Sequence, residues 1–188
     1  MCLGLATVLG CAAAKEMMSL RRVEFQLNGV SGARVAGIPL ENVRSYSDLK
    51  PADLARLGAA VAMRDVPLEM TVHVEGRNPE TNTVTAKLIA MDWACLLDDR
   101  DLVSGRLRGP YSFPPGEARD VPLLVRFNLA DAGLGRSRDL IDVALAIAGR
   151  RASSHSVALQ LTPSVDTPLG TIHYPVPITL ELASPASR

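Results

Sequence analysis

The most constraining feature of this chain is a period-two alternation of apolar and polar residues that recurs from one end of it to the other. Val66, Leu68, Met70, Val72 and Val74 alternate with Pro67, Glu69, Thr71, His73 and Glu75. Successive side chains on a strand point to opposite faces, so this pattern predicts a strand with one face buried and one wet. The same rhythm marks Val23, Phe25 and Leu27, then Val84 to Ala90, Val121 to Leu129, Val157 to Leu161 and Ile172 to Leu182. A turn is expected at Ser31-Gly32, with Val35 and Ile38 to Leu40 as a hairpin partner. Many short strands separated by Gly and Pro turns imply antiparallel sheets stacked as a sandwich of the immunoglobulin or fibronectin kind. Pro67, Pro122, Pro175 and Pro177 fall inside alternating runs, where a residue without an N–H belongs at a sheet edge or a strand start.

Two segments switch to the helical period. Pro51 can open a helix on which Leu54, Leu57 and Val61 share a face, with Asp53 in the first turn and Arg64 in the last. A second runs from Arg138 to Ala148, capped by Ser137 or Asp139 and stopped by Gly149. One or two short helices are therefore expected to cover an open end or edge of the sandwich.

The N-terminal run MCLGLATVLGCAAA carries no charge before Lys15. It is too short to span a bilayer and has the length of the apolar part of a secretory signal. Val8-Leu9-Gly10-Cys11 resembles a bacterial lipobox, which implies cleavage between Gly10 and Cys11 and acylation of Cys11. The alternative is a buried N-terminal strand or helix of a cytoplasmic protein. On the lipoprotein reading residues 1–10 are the signal, 11–20 a tether, 21–183 the domain and 184–188 a tail. Cys2 leaves with the signal and Cys11 is acylated, so Cys95 remains as a lone thiol and no internal disulfide can form. Ala12 follows the cysteine rather than an aspartate, which by resemblance to lipoprotein sorting implies an outer-membrane anchor facing the periplasm. Arg21-Arg22 could touch anionic headgroups or simply be solvated.

Composition narrows the function classes. Twenty Lys and Arg balance twenty Asp and Glu, and aromatics are 4%. No nucleic-acid partner is expected from a chain without basic excess or stacking residues. No Walker loop, dinucleotide fingerprint or Gly-x-Ser-x-Gly elbow occurs, and Ser104-Gly105 does not form one. His73, His155 and His173 lack ligand spacing, so no metal site or cofactor is expected. Asp98, Asp99 and Asp101 lack the glycine and glutamate of a calcium loop and are read as a solvated turn diluted by Arg100. Cys95, beside Trp93 and Leu96, is expected to pack as a small hydrophobe.

An ordered set of motifs resembles the type 2 late-embryogenesis-abundant family, also called the water stress and hypersensitive response domain. Val66 to Glu80 reads VPLEMTVHVEGRNPE, an alternating strand ending in Asn78-Pro79, the family's turn motif. Lys87 to Trp93 resembles its second strand and LVSG at Leu102 to Gly105 its short glycine-ended strand. Pro114-Pro115-Gly116-Glu117 before VPLLVRFNL resembles its turn and long strand. The helix from Arg138 and the pair TPLGTIHYPVPITLEL complete the order. Glu80 stands where the family has Asn, and Asp98 to Asp101 form an acidic insertion.

The resemblance implies a non-catalytic module associated with desiccation and stress tolerance, with no catalytic residues. Combined with the N-terminal run, it points to a lipid-anchored binding module whose partners are the membrane and an envelope protein or lipid. The alternative is a carrier that holds a lipid or other apolar ligand between its sheets. An enzyme would require one of the three histidines to meet an acidic partner in a pocket.

Overall fold

The computed structural model describes residues 18–133, 136–150, 155–167 and 170–183. Gly10, Cys11 and the tail 184–188 lie outside the described residues.

The strands are β1 (Glu24–Val35), β2 (Ile38–Pro39), β3 (Pro67–Arg77), β4 (Ala86–Leu97), β5 (Arg100–Phe113), β6 (Ala118–Asn128), β7 (Val157–Thr167), β8 (Gly170–His173) and β9 (Ile178–Ala183). Among the described residues the longer helices are α1 (Pro51–Ala62) and α2 (Ser137–Ile147), with short 3-10 turns at Tyr46–Asp48 and Leu129–Ala132. One sheet has the order β2-β1-β3-β6, and the other β5-β4-β7-β8 with β9 also on β7. All pairings are antiparallel. The fold is thus mainly β, two antiparallel sheets in a sandwich with two short helices.

The core lies between the sheets. On β3 the alternation is complete, with Leu68, Met70, Val72 and Val74 buried and the residues between them half-buried. They meet Leu88, Met91, Trp93, Cys95, Leu159 and Leu161 from the second sheet in one cluster. At one end Phe25 and Phe113 bridge the sheets edge to face, with ring centroids 6.0 Å apart. Gly76 makes that contact possible, because a Cβ there would sit 2.5 Å from the Phe113 ring.

Several local expectations are corrected. Ser31-Gly32 is not a turn. β1 runs straight through it with register breaks between Leu27 and Gly29 and between Ser31 and Arg34. The turn falls at Ala36-Gly37, both at positive φ, and leads into a two-residue β2. The main partner of β1 is β3, whose longer apolar face offers far more to bury. The segment Leu102 to Gly105 is part of the fourteen-residue β5. The closing run is not one strand: it splits into β8 and β9 around Pro175 and Pro177, and both pieces pair with β7. Pro163 of β7 sits opposite that interruption. Pro67 begins β3, and Pro122 lies on the edge strand β6.

α1 starts with Pro at its first position, as expected, after Lys50 rather than a capping side chain. Its end is a Schellman turn, with Asp65 N–H donating to Ala60 O at 2.9 Å and Arg64 N–H to Val61 O at 3.0 Å. Arg64 occupies the left-handed position, φ 54°, that usually falls to glycine. α2 has no side-chain cap; Arg136 precedes it, and neither Ser137 nor Asp139 serves. Gly149 at φ 67° stops it in a second Schellman turn, as its position predicts. Of the eight positions from Leu140 to Ile147, all but Asp142 are buried. A helix buried on almost every side is part of the core rather than a cover.

The folded unit also reaches back to Met18. Residues 18–21 form a helical turn in which Ser19 and Leu20 are buried. Asn82 Nδ2 donates to Ser19 O at 2.9 Å, and Tyr174 Oη to Leu20 O at 3.2 Å.

Candidate functional site

The turn motif resolves into a buried hydrogen-bonded knot. Asn78 is fully buried. Its Nδ2 donates to Phe113 O at 2.7 Å and Val84 O at 3.0 Å, and its Oδ1 accepts from Asn82 Nδ2 at 2.7 Å. Its backbone N–H donates to Glu117 O, and its backbone O accepts from Gly116 N–H. Both amide donors and the carbonyl are engaged within the protein, so Asn78 ties the β3 turn to the end of β5 and to the turn before β6. Pro79 O accepts from Asn82 N–H at 2.9 Å and closes the turn. The motif is architectural in its geometry.

The acidic insertion is a hairpin turn. Asp98 and Asp99 have φ of 49° and 63°, and Leu97 pairs with Arg100. Two consecutive left-handed residues make a type I′ turn, which Asp tolerates better than most side chains. Asp98 accepts from His155 Nδ1 at 2.7 Å and from Ser156 N–H at 3.0 Å. The His155 hydrogen bond, aided by Ser156, holds the Asp98 carboxyl below its ordinary range. Asp101 lies beside it on a surface depression of about 400 Å³ that also includes Arg100 and Asp131. Among the described residues no cluster of three or more metal-ligating side chains forms.

Cys95 faces the core, and burial pushes its thiol up to about 12. It is an inert packing residue, as its apolar neighbours predict. The Trp93 indole packs against Gly105 of the neighbouring strand, where a Cβ would stand 2.5 Å from the ring. Gly105 therefore serves packing, while Ser104 points away from the core.

The outward face of the second sheet carries a shallow open groove of about 520 Å³. Asp92 and Ala94 of β4, Ser104 and Arg106 of β5, and Gln160 and Thr162 of β7 line it. Arg106 Nε meets Asp92 Oδ1 at 2.8 Å. The groove exists because Ala94 and Ser104 are small beside longer neighbours. Apart from Ser104, excluded as a nucleophile elbow, none of its polar residues is marked by the sequence, since single outward residues on three separate strands carry no common spacing.

The three histidines all find acidic neighbours, in different geometries. His155 donates to Asp98 in the turn just described. His173 Nδ1 lies 2.8 Å from Ser164 Oγ and 3.8 Å from Asp92 Oδ2, so one ring nitrogen serves both. His73 uses both nitrogens. Its Nδ1 meets Asp120 Oδ2 at 2.8 Å and its Nε2 meets Ser31 Oγ at 2.8 Å. Ser31, His73 and Asp120 come from β1, β3 and β6 and share the outer face of the first sheet.

No family model matches the chain, and no curated protein matches it. Solved structures similar to it include two of low sequence identity. One is the solution structure of a candidate late embryogenesis abundant protein, 14% identical over 96% of this chain and 84% of that one, with a TM-score of 0.43. The other is the crystal structure of a protein from Archaeoglobus fulgidus, 13% identical over 63% of this chain and 86% of that one, with a TM-score of 0.38.

Proposed function

We propose that this protein is a lipid-anchored binding module of the cell envelope that engages its partner through the groove on its second sheet. The groove carries the reading: it gathers an ion pair, an amide and two hydroxyls on an open surface suited to a polar envelope component. The interior favours binding at the surface over carriage between the sheets. Met91, Trp93, Phe113 and Leu161 fill the inter-sheet space, and α1 fully buries only Leu57 and Ala60.

Anchoring rests on Val8-Leu9-Gly10-Cys11 and the uncharged run before it. With the fold reaching back to Met18, a tether of six residues, 12–17, would let the domain stand about 20 Å from the bilayer at most. The outer membrane, facing the periplasm, is the proposed location. A protective role under water stress follows from the family's motif order and is part of the same proposal.

Two measurements test it. Membrane-extracted protein should have the mass of a chain that starts at an acylated Cys11, and Cys11→Ala should leave the detergent phase. An unprocessed chain that stays soluble refutes the anchor. Purified domain should co-sediment with isolated cell envelopes, and Arg106→Glu in the groove should abolish this while Arg126→Glu on the other sheet should not. Equal sedimentation of both variants refutes the groove.

A further inference from the structure

We propose that Ser31, His73 and Asp120 form an acyl-transfer centre on the outer face of the first sheet, able to cleave small unhindered carboxylic esters. It is independent of the groove, which lies on the other sheet.

Three observations carry the proposal. The first is connectivity. Asp120 accepts from His73 Nδ1 at 2.8 Å, which fixes the proton on that nitrogen and leaves Nε2 free to accept from Ser31 Oγ at 2.8 Å. This is the order nucleophile, base and orienting carboxylate that activates a serine. His173 has no such relay, because Ser164 and Asp92 approach the same nitrogen.

The second is the backbone that aims Ser31. It lies between two register breaks in β1 and is followed by Gly32 at φ 61°. Bulges of this kind redirect a side chain away from the regular pleat. Here the serine leans diagonally toward His73 instead of standing over Thr71, its register partner.

The third is room for a substrate. The residue paired with His73 on β1 is Gly29, at φ 124°, and nothing lies within 4 Å of where its Cβ would be. On the other flank Pro122 and the exposed Leu124 supply an apolar shelf for an acyl or alkyl group. Among the described strands β1 has no second partner beyond β2 at Arg34 and Val35. The stretch around Ser31 is therefore a sheet edge, and the unpaired backbone N–H groups of such an edge are the donors a developing oxyanion would need.

In the reaction, Ser31 Oγ bonds to the ester carbonyl carbon while its proton passes to His73 Nε2. The bond from carbonyl carbon to alkoxy oxygen breaks, and the alcohol leaves with that proton. Water then attacks the acyl-serine and gives a proton to Nε2. The acyl–Oγ bond breaks, the acid departs, and Nε2 returns the proton to Oγ. Asp120 touches no reacting atom and is a positioning residue.

The full chain incubated with p-nitrophenyl acetate should accumulate an acetyl group on Ser31, seen by peptide mass. A fluorophosphonate probe should mark the same residue. Ser31→Ala, an exposed substitution that leaves the core intact, should remove both adducts and lower hydrolysis at least tenfold, and His73→Gln should do likewise. Asp120→Asn should lower kcat at least tenfold with KM unchanged. An adduct elsewhere, no adduct, or hydrolysis unchanged in Ser31→Ala overturns the proposal. So does an Asp120→Asn variant with unaltered kcat.

Discussion

Replacing Asn78 by Ala removes a side chain that makes three hydrogen bonds from a fully buried position. The Phe113 and Val84 carbonyls each lose a donor, and Asn82 loses an acceptor while keeping Ser19. Each buried group left unpaired costs about 1 kcal/mol or more, so the three together remove about 3 kcal/mol. In a domain of this size that lowers Tm by about 6–12 °C. Asn78→Asp is the sharper probe. A carboxylate cannot donate, so it would point an unshielded charge at two carbonyl oxygens 2.7 and 3.0 Å away. At pH 7 it should therefore be less stable than the alanine variant, although it is nearly isosteric with the native residue. As the pH falls and the carboxyl gains a proton it can donate once, and the order should narrow or invert. Urea melts of the three proteins at pH 7 and pH 4, followed by far-UV circular dichroism, give the comparison. An aspartate variant as stable as the parent at pH 7 would refute the account. So would an alanine variant that loses less than about 1 kcal/mol of unfolding free energy.

Other positions give independent tests. Gly76→Ala should destabilise by at least about 2 kcal/mol, because its Cβ would lie 2.5 Å from a fully buried Phe113 that cannot retreat; a thermal melt reads this. Arg64→Gly should stabilise by about 1 kcal/mol by relieving a left-handed φ of 54° at the end of α1, measured by urea denaturation. Cys95 should resist Ellman's reagent at pH 8 in the folded state and react at once in 6 M guanidinium, since burial shields its thiol and pushes it up to about 12. Asp98→Asn keeps the turn geometry but removes the charge that His155 and Ser156 hold. A depressed carboxyl stabilises the fold above its unfolded value near 3.8 and loses that effect as pH falls through its lower folded value. The variant should thus be weaker than the parent at pH 5, and the difference should vanish toward pH 2.

The strands and helices were legible because each leaves a periodic trace. β3 alternates without a break, and the helix from Pro51 shows its apolar face at 3.6-residue spacing. What stayed hidden was pairing. A two-residue β2 has no pattern of its own, and the rival turn at Ser31-Gly32 used the same residue types that a bulge uses. The division of the last run followed from Pro175 and Pro177, which marked an edge but not a handover between two strands on β7. The helix from Arg138 is expected as a cover over an end or edge of the sandwich, yet its alanines Ala144 and Ala146 are as buried as its leucines. Asn78 was visible as a turn residue, while its tie to Phe113, 35 residues away, had no sequence trace. The outer-face arrays were invisible for the same reason. Ser31, His73 and Asp120 are separated by 42 and 47 residues, and only the register of three strands makes them neighbours.

The buried turn at residues 18–21 has a mechanical consequence. Tension applied at Met18 enters the domain through Ser19 and Leu20, whose carbonyls are held by Asn82 and Tyr174. Asn82 in turn grips Asn78, so the load passes straight into the knot that joins both sheets. Tyr174 carries the rest to the strand break beside β7. Force is divided at the point of entry between the two layers instead of peeling β1 from the edge of one. A domain loaded in this way should yield as a unit at high force, with no early step in which its first strand comes away alone.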